Sequence, residues 1–212
     1  MTGLGVPKGP IYRDNDHKRR LESRNGILQT QFLLHTAESW NAGSRFTPEL
    51  LRELQRLAVN QIYRCAGYFR DGAVTIQEVD HQPPPWQDIP RLVAEMCEYV
   101  NGGPGKSPIH LSAYVMWRVN WIHPFFGGNG RTARAASYLV LCVRLGFIVP
   151  GSPTIPELIV EQRAPYYGAL RAADAAWAEG RLDLTKMEDL LSSLLAKQLL
   201  SVHQRATGLN SP

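Results

Sequence analysis

Two stretches of this chain are apolar on almost every face, and only a short glycine-rich segment separates them. Residues 109–122 have His110, Arg118 and Asn120 as their main polar exceptions, and residues 131–145 repeat the pattern and end at Gly146. A helix with no polar face has to sit at the centre of a bundle. The rest of the chain must therefore supply the helices that cover this pair. Periodicity predicts them at 16–38, with a stripe of Leu21, Ile27, Leu28, Phe32, Leu33 and Ala37, and at 47–62, 89–100, 155–179 and 184–204. Asp14 or Asp16 can cap the first of these, and Thr47-Pro48-Glu49 opens the second with a cap, a proline and an acid in helical order. Between 67 and 76 the Asp71-Gly72 pair, set among β-prone residues, predicts a short hairpin. The expectation is an all-α bundle with one short β-hairpin. It forms a single domain over 16–204, with a flexible Gly/Pro-rich arm at 1–15 and a flexible tail at 205–212.

The bulk numbers narrow the class. At 212 residues the chain can bury a core without a disulfide or metal staple. Cys65, Cys97 and Cys142 are odd in number and widely spaced, which predicts reduced, buried thiols in a cytoplasmic protein. No segment has the roughly 18 consecutive apolar residues of a membrane span, and the N-terminus lacks the apolar core of a signal peptide. A net charge of +4 admits anionic ligands but does not by itself indicate nucleic acid. The basic run at residues 17–20 reads as a solvated helix face.

The segment between the central helices, residues 123–134, reads His-Pro-Phe-Phe-Gly-Gly-Asn-Gly-Arg-Thr-Ala-Arg. Gly127, Gly128 and Gly130 allow a turn whose backbone a ligand can approach closely. Successive N–H groups in such a turn form an anion nest, and the turn leads into a helix N-terminus that also favours negative charge. Arg131 and Arg134 lie one turn apart, so both guanidinium forks can face one phosphate group. Asn129 offers a further amide donor. His123 stands at the mouth of this cradle, where an imidazole can take a proton from an attacking hydroxyl.

At these positions the segment resembles the signature of the Fic/Doc family, His-x-Phe-x-(Asp/Glu)-Gly-Asn-Gly-Arg-x-x-Arg. It matches at His123, Phe125, Gly128, Asn129, Gly130, Arg131 and Arg134, in the form of the Fic branch. The resemblance implies a Fic-type helical bundle with a hairpin flap. It also implies a protein adenylyltransferase that moves AMP from ATP to a Ser, Thr or Tyr hydroxyl of a target protein and releases pyrophosphate. On that reading His123 is the general base. Gly128, Asn129 and Gly130 form the anion hole, Arg131 holds the β-phosphate and Arg134 the γ-phosphate. Val74, Thr75 and Ile76 belong to the flap that registers the target, and Tyr167 lies beside the nucleoside. Glu22, on the first helix, is the nearest match to the family's inhibitory glutamate, which pairs with the motif's second arginine (Arg134 here) and blocks the γ-phosphate, although Lys18 and Ser23 depart from the residues that flank it there. Implied partners are the target protein and ATP, with no nucleic acid and no membrane; a homodimer is left open.

One departure bears on chemistry. The family's Asp or Glu, which helps to hold Mg²⁺, falls at Gly127. Magnesium is usually bound through one or two carboxylates plus phosphates and waters. Three outcomes stay open: a slow AMP transferase, a transferase using another phosphate-linked donor, or a nucleotide-binding regulatory protein without useful catalysis.

Overall fold

The structure, a computed structural model, describes residues 8–76, 81–102 and 105–208. Its helices are α1 (Asn15–Glu38), α2 (Pro48–Val59), α3 (Ile89–Asn101), α4 (Pro108–Ile122), α5 (Asn129–Leu145), α6 (Ile155–Glu161), α7 (Arg163–Ala178) and α8 (Thr185–Thr207), with a 3-10 turn at Trp86–Asp88. The two apolar stretches are α4 and α5. They pack on each other, while α1 and α2 cover α5 and α3, α7 and α8 cover α4.

The central pair meets through small residues. The Ser112 and Ser137 hydroxyls lie 2.7 Å apart, and each also bonds the other's backbone carbonyl. Ala133 and Ala136 are fully buried on the same helix as Ser137. Larger side chains there would hold the helices apart, and unpaired hydroxyls would cost desolvation energy. Farther along α4, Trp117 is fully buried, with its indole N–H donating to Asp174 Oδ1 at 2.8 Å.

Local chemistry sets the helix ends. Asp14 accepts from the His17 N–H at 2.7 Å, Thr47 from Leu50 at 3.2 Å and Ser107 from His110 at 3.0 Å. Gly146 closes α5 with φ of 79°, a conformation that suits glycine. Two polar residues on α4 have structural partners. His110 bridges the Tyr99 hydroxyl and Glu188, each at 2.8 Å. Arg118 is buried among the rings of Trp117, Trp121 and Trp177.

Four expectations need revision or qualification. The hairpin is not seen: among the described residues of 68–76 no strand pairing occurs, and residues 77–80 lie outside the described part. Arg70 takes the place of a ladder there. Its side chain donates to the carbonyls of Gly72, Pro84, Ile122 and His123, and its N–H donates to Pro124 O at 2.8 Å. The single helix expected at 155–179 is two, broken at Gln162. Pro165, lacking an N–H, cannot bond the Glu161 carbonyl and so cannot continue α6. Of the N-terminal arm, residues 1–7 lie outside the described part. Ile11 N–H donates to Ile62 O at 2.9 Å, and Arg64 N–H donates to Gly9 O at 3.2 Å. Helix α8 continues to Thr207, into the stretch read as a tail, and residues 209–212 are not described.

All three cysteines are free and buried. Among the described residues no helix is long and apolar enough to cross a membrane.

Candidate active site

Helix α4 ends at His123 because Pro124 follows it. His123 caps the helix with φ 49° and ψ 58°, in the left-handed region, while its N–H still bonds Val119 O at 3.0 Å. A non-glycine residue in this region is strained and persists only where its surroundings hold it. Arg70 does so, gripping the His123 carbonyl through Nε at 2.8 Å. Phe125 then turns into the core, fully buried, with its ring 5.4 Å from that of Phe69.

The glycine turn is clamped from both sides. Asn129 is buried, and its side chain bonds both backbone groups of Phe125, accepting from the N–H at 3.0 Å and donating to the carbonyl at 2.8 Å. The amide expected to donate to a ligand therefore shapes the loop instead, and Asn129 offers the cleft its backbone N–H. Gln55 completes the clamp, donating to Gly127 O at 3.0 Å and accepting from Gly67 N–H at 2.6 Å. Gly128 is the N-cap of α5, with φ of 80°, and a Cβ there would lie 2.5 Å from Val59 Cγ1. Only glycine fits. A glycine cap has no side chain to accept from the first turn of α5, so the Asn129, Gly130 and Arg131 N–H groups are not capped by a side chain.

These groups open on a cleft of about 360 Å³ lined by His123, residues 127–131, Arg134, Arg163 and Tyr167, among others. The structure thus gathers His123, Gly128, Asn129, Gly130, Arg131, Arg134 and Tyr167 at one place. An adjoining cavity of about 300 Å³ shares His123, Arg134 and Tyr167 with the cleft and adds Ile76, His81 and Asp174. Of the three flap residues Ile76 reaches that lining; Val74 and Thr75 do not. Size alone does not single out the cleft. One of about 380 Å³ lies by Trp40, Arg45 and Arg144, but neither a glycine nor a histidine lines it.

Electrostatics divides the site into a neutral imidazole and a cationic floor. Burial lowers the His123 pKa to about 4; the Asn120 backbone opposes this, and the charges of Arg70 and His81 add to it. The ring is neutral at pH 7. Its Nδ1 is buried without a hydrogen bond of normal geometry, which leaves Nε2 as the nitrogen able to accept a proton from the cleft. Burial also holds the Arg134 pKa below its ordinary value; Tyr166 opposes, while Arg131 and Arg163 add like-charge repulsion. Burial pushes the neighbouring Tyr166 up to about 12, so its hydroxyl stays protonated. It accepts from Asn120 Nδ2 at 2.8 Å.

Glu22 reaches the motif, though through a different arginine. It lies 3.6 Å from Arg131 Nη2, whose Nη1 also donates to Ala58 O at 3.0 Å. The resemblance had placed it on the second arginine, Arg134.

Several residues of the site carried no signal in the sequence. Arg70, Gln55 and Val59 act across 53, 72 and 69 positions of chain, respectively, on His123, Gly127 and Gly128. Arg163 was hidden inside a helix read as continuous; the break at Gln162 turns it toward the cleft.

Comparison with known proteins matches the family model described as the Fic/DOC family to residues 45–141. The protein adenylyltransferase Fic of Drosophila persimilis is 31% identical over 112 residues, which is 51% of this chain and 20% of that protein. The chain thus spans about a fifth of that relative's length. A Fic-domain signaling protein from Bacteroides thetaiotaomicron superposes with a TM-score of 0.76 at 20% identity, covering 94% of this chain and 78% of that one. BepC from Bartonella tribocorum, solved with bound AMPPNP, superposes with a TM-score of 0.58 at 16% identity, covering 89% and 94%. At these identities the two structures speak to the fold.

Proposed function

We propose, from the premise that this chain carries a Fic/DOC-family domain across residues 45–141, that it moves a nucleotidyl group from a nucleoside triphosphate to a hydroxyl side chain of a target protein, AMP from ATP being the favoured case. One observation carries the reading: a neutral imidazole, His123, and an uncapped helix N-terminus with two arginines face the same cleft. The phosphates lie on the N–H groups of Asn129, Gly130 and Arg131, with Arg131 and Arg134 balancing their charge. The target hydroxyl oxygen attacks the α-phosphorus and gives its proton to His123 Nε2. A new phosphoester bond forms, the bond to the β-phosphate oxygen breaks, and pyrophosphate leaves with the electron pair. The adjoining cavity, with Tyr167 and Asp174 in its wall, takes the nucleoside. The likeness to a named adenylyltransferase supports this reading.

Glu22 sets the resting state. Its carboxylate competes with a phosphate for Arg131, though a partly exposed pair of this kind is worth only up to about 1 kcal/mol.

A second reading is a nucleotide-binding regulatory protein without transfer. The side-chain space at Gly127, filled by Tyr63, favours it; a neutral histidine aimed into the cleft does not, since binding alone needs no base.

Incubation with α-labelled and γ-labelled ATP separates the two. The proposed transferase incorporates the α-label and not the γ-label into protein, His123→Ala lowers incorporation about 10²–10⁴-fold, and Glu22→Ala raises it. Incorporation of the γ-label would identify a kinase reaction instead, and no incorporation with intact ATP binding would favour the regulatory reading.

A further inference from the structure

Where the family signature has an acid, this chain has Gly127, and the structure shows that the vacated volume is filled. A Cβ built on Gly127 lies 2.8 Å from Tyr63 Cε2, 3.3 Å from Cδ2 and 3.4 Å from Cζ. These are atoms of an aromatic ring, not the loose end of a flexible chain. Tyr63 is held where it is: its N–H bonds Val59 O at 3.2 Å, it pairs with Pro10 in an isolated bridge, and its ring packs on the cluster of Leu21, Ala58, Val59 and Ile62. The loop cannot retreat easily, because Gln55 holds the Gly127 carbonyl. A carboxylate at this position would need the Tyr63 ring, or the loop that Gln55 holds, to move.

Among the described residues that line the cleft, none carries a carboxylate. Among the described residues no group of three or more His, Cys, Asp or Glu side chains is placed to hold a metal ion. Glu22 reaches the phosphate loop, and it faces Arg131. Divalent ions that bridge phosphates are usually held through one or two carboxylates, so the described residues lining the cleft do not fit the magnesium ion of the family. They fit an anion. Arg131, Arg134 and Arg163 line the cleft together with the N-terminus of α5.

We infer that this cleft takes its nucleotide as the free polyanion, without a divalent ion, and that Tyr63 closes the space where the ion's protein ligand would stand. The inference rests on the reading of the cleft as a polyphosphate site. It assigns to the arginines and the helix N-terminus all of the charge compensation that a metal would otherwise share.

Calorimetric titration of the full chain with ATP, and separately with inorganic tripolyphosphate, in EDTA and then in excess Mg²⁺, tests this directly. Both ligands bind in EDTA. Added Mg²⁺ leaves the affinity unchanged or weakens it, by up to roughly tenfold, because it neutralises about half of the ligand's charge before the arginines meet it. Tighter binding with Mg²⁺ would overturn the inference while leaving the cleft's role intact. Binding of neither ligand under either condition would remove both. A second arm compares Gly127→Asp with the pair Gly127→Asp, Tyr63→Ala. Only the pair gains Mg²⁺-enhanced binding; the same gain in Gly127→Asp alone, at an unchanged melting temperature, would show that Tyr63 does not hold the space.

Discussion

At His123 burial pulls the ring's pKa down to about 4, while an unfolded chain titrates near ~6.5. Above the unfolded value both states are neutral, and the group adds no pH dependence. As pH falls from there, the unfolded state binds a proton first, so stability is lost until the folded ring titrates as well. The total is on the order of 3 kcal/mol. Urea unfolding of wild type and His123→Asn at a series of pH values checks this: the variant gains on wild type between about pH 6.5 and 4, and parallel curves would contradict the burial assigned to the ring. How far the sequence reached differs between neighbouring residues. His123, the arginines and the glycine turn were legible, because backbone freedom and charge follow from residue type. The orientation of the Asn129 side chain was not. An amide can face a ligand or its own loop with equal chemistry, and the choice here is made by the Phe125 backbone it bonds.

Between elements, the segment at 68–76 shows what periodicity misses. An Asp-Gly turn among β-prone residues satisfies the local rule for a hairpin, yet the strand pairing is absent from the described residues and a side chain holds the segment instead. Arg70 is buried at 3% exposure with its pKa lowered by that burial, and it ties this segment to the end of α4. Arg70→Ala leaves several carbonyls short of a donor, each costing about 1–3 kcal/mol if water cannot replace it. It also frees His123 to leave its left-handed conformation. We expect a lower melting temperature and faster amide exchange at the end of α4; wild-type exchange there would show that Pro124 and Phe125 hold the turn by themselves. The central helices, by contrast, were read correctly from composition alone, since sequences with no polar face have few places to go. The break between α6 and α7 was missed because Pro165 falls in the first turn of α7, where proline is tolerated, and a continuous apolar stripe masked the boundary.

For the molecule as a whole, α4 and α5 form a central axis whose connecting loop carries the proposed chemistry, and every other helix either buries that axis or closes the cleft. His123 ends one central helix and Arg131 and Arg134 begin the other. The proposed base and phosphate site are therefore positioned by core packing rather than by a mobile surface loop. Binding and proton transfer should then be separable. Titration of ATP into wild type, Arg134→Ala and His123→Ala by calorimetry measures this most directly. The predicted result is that His123→Ala binds ATP within about threefold of wild type while Arg134→Ala loses on the order of tenfold or more, one charge-assisted contact being worth about 1.5–3 kcal/mol. Equal losses in both variants, or none in Arg134→Ala, would contradict a cradle in which the arginine binds and the histidine reacts.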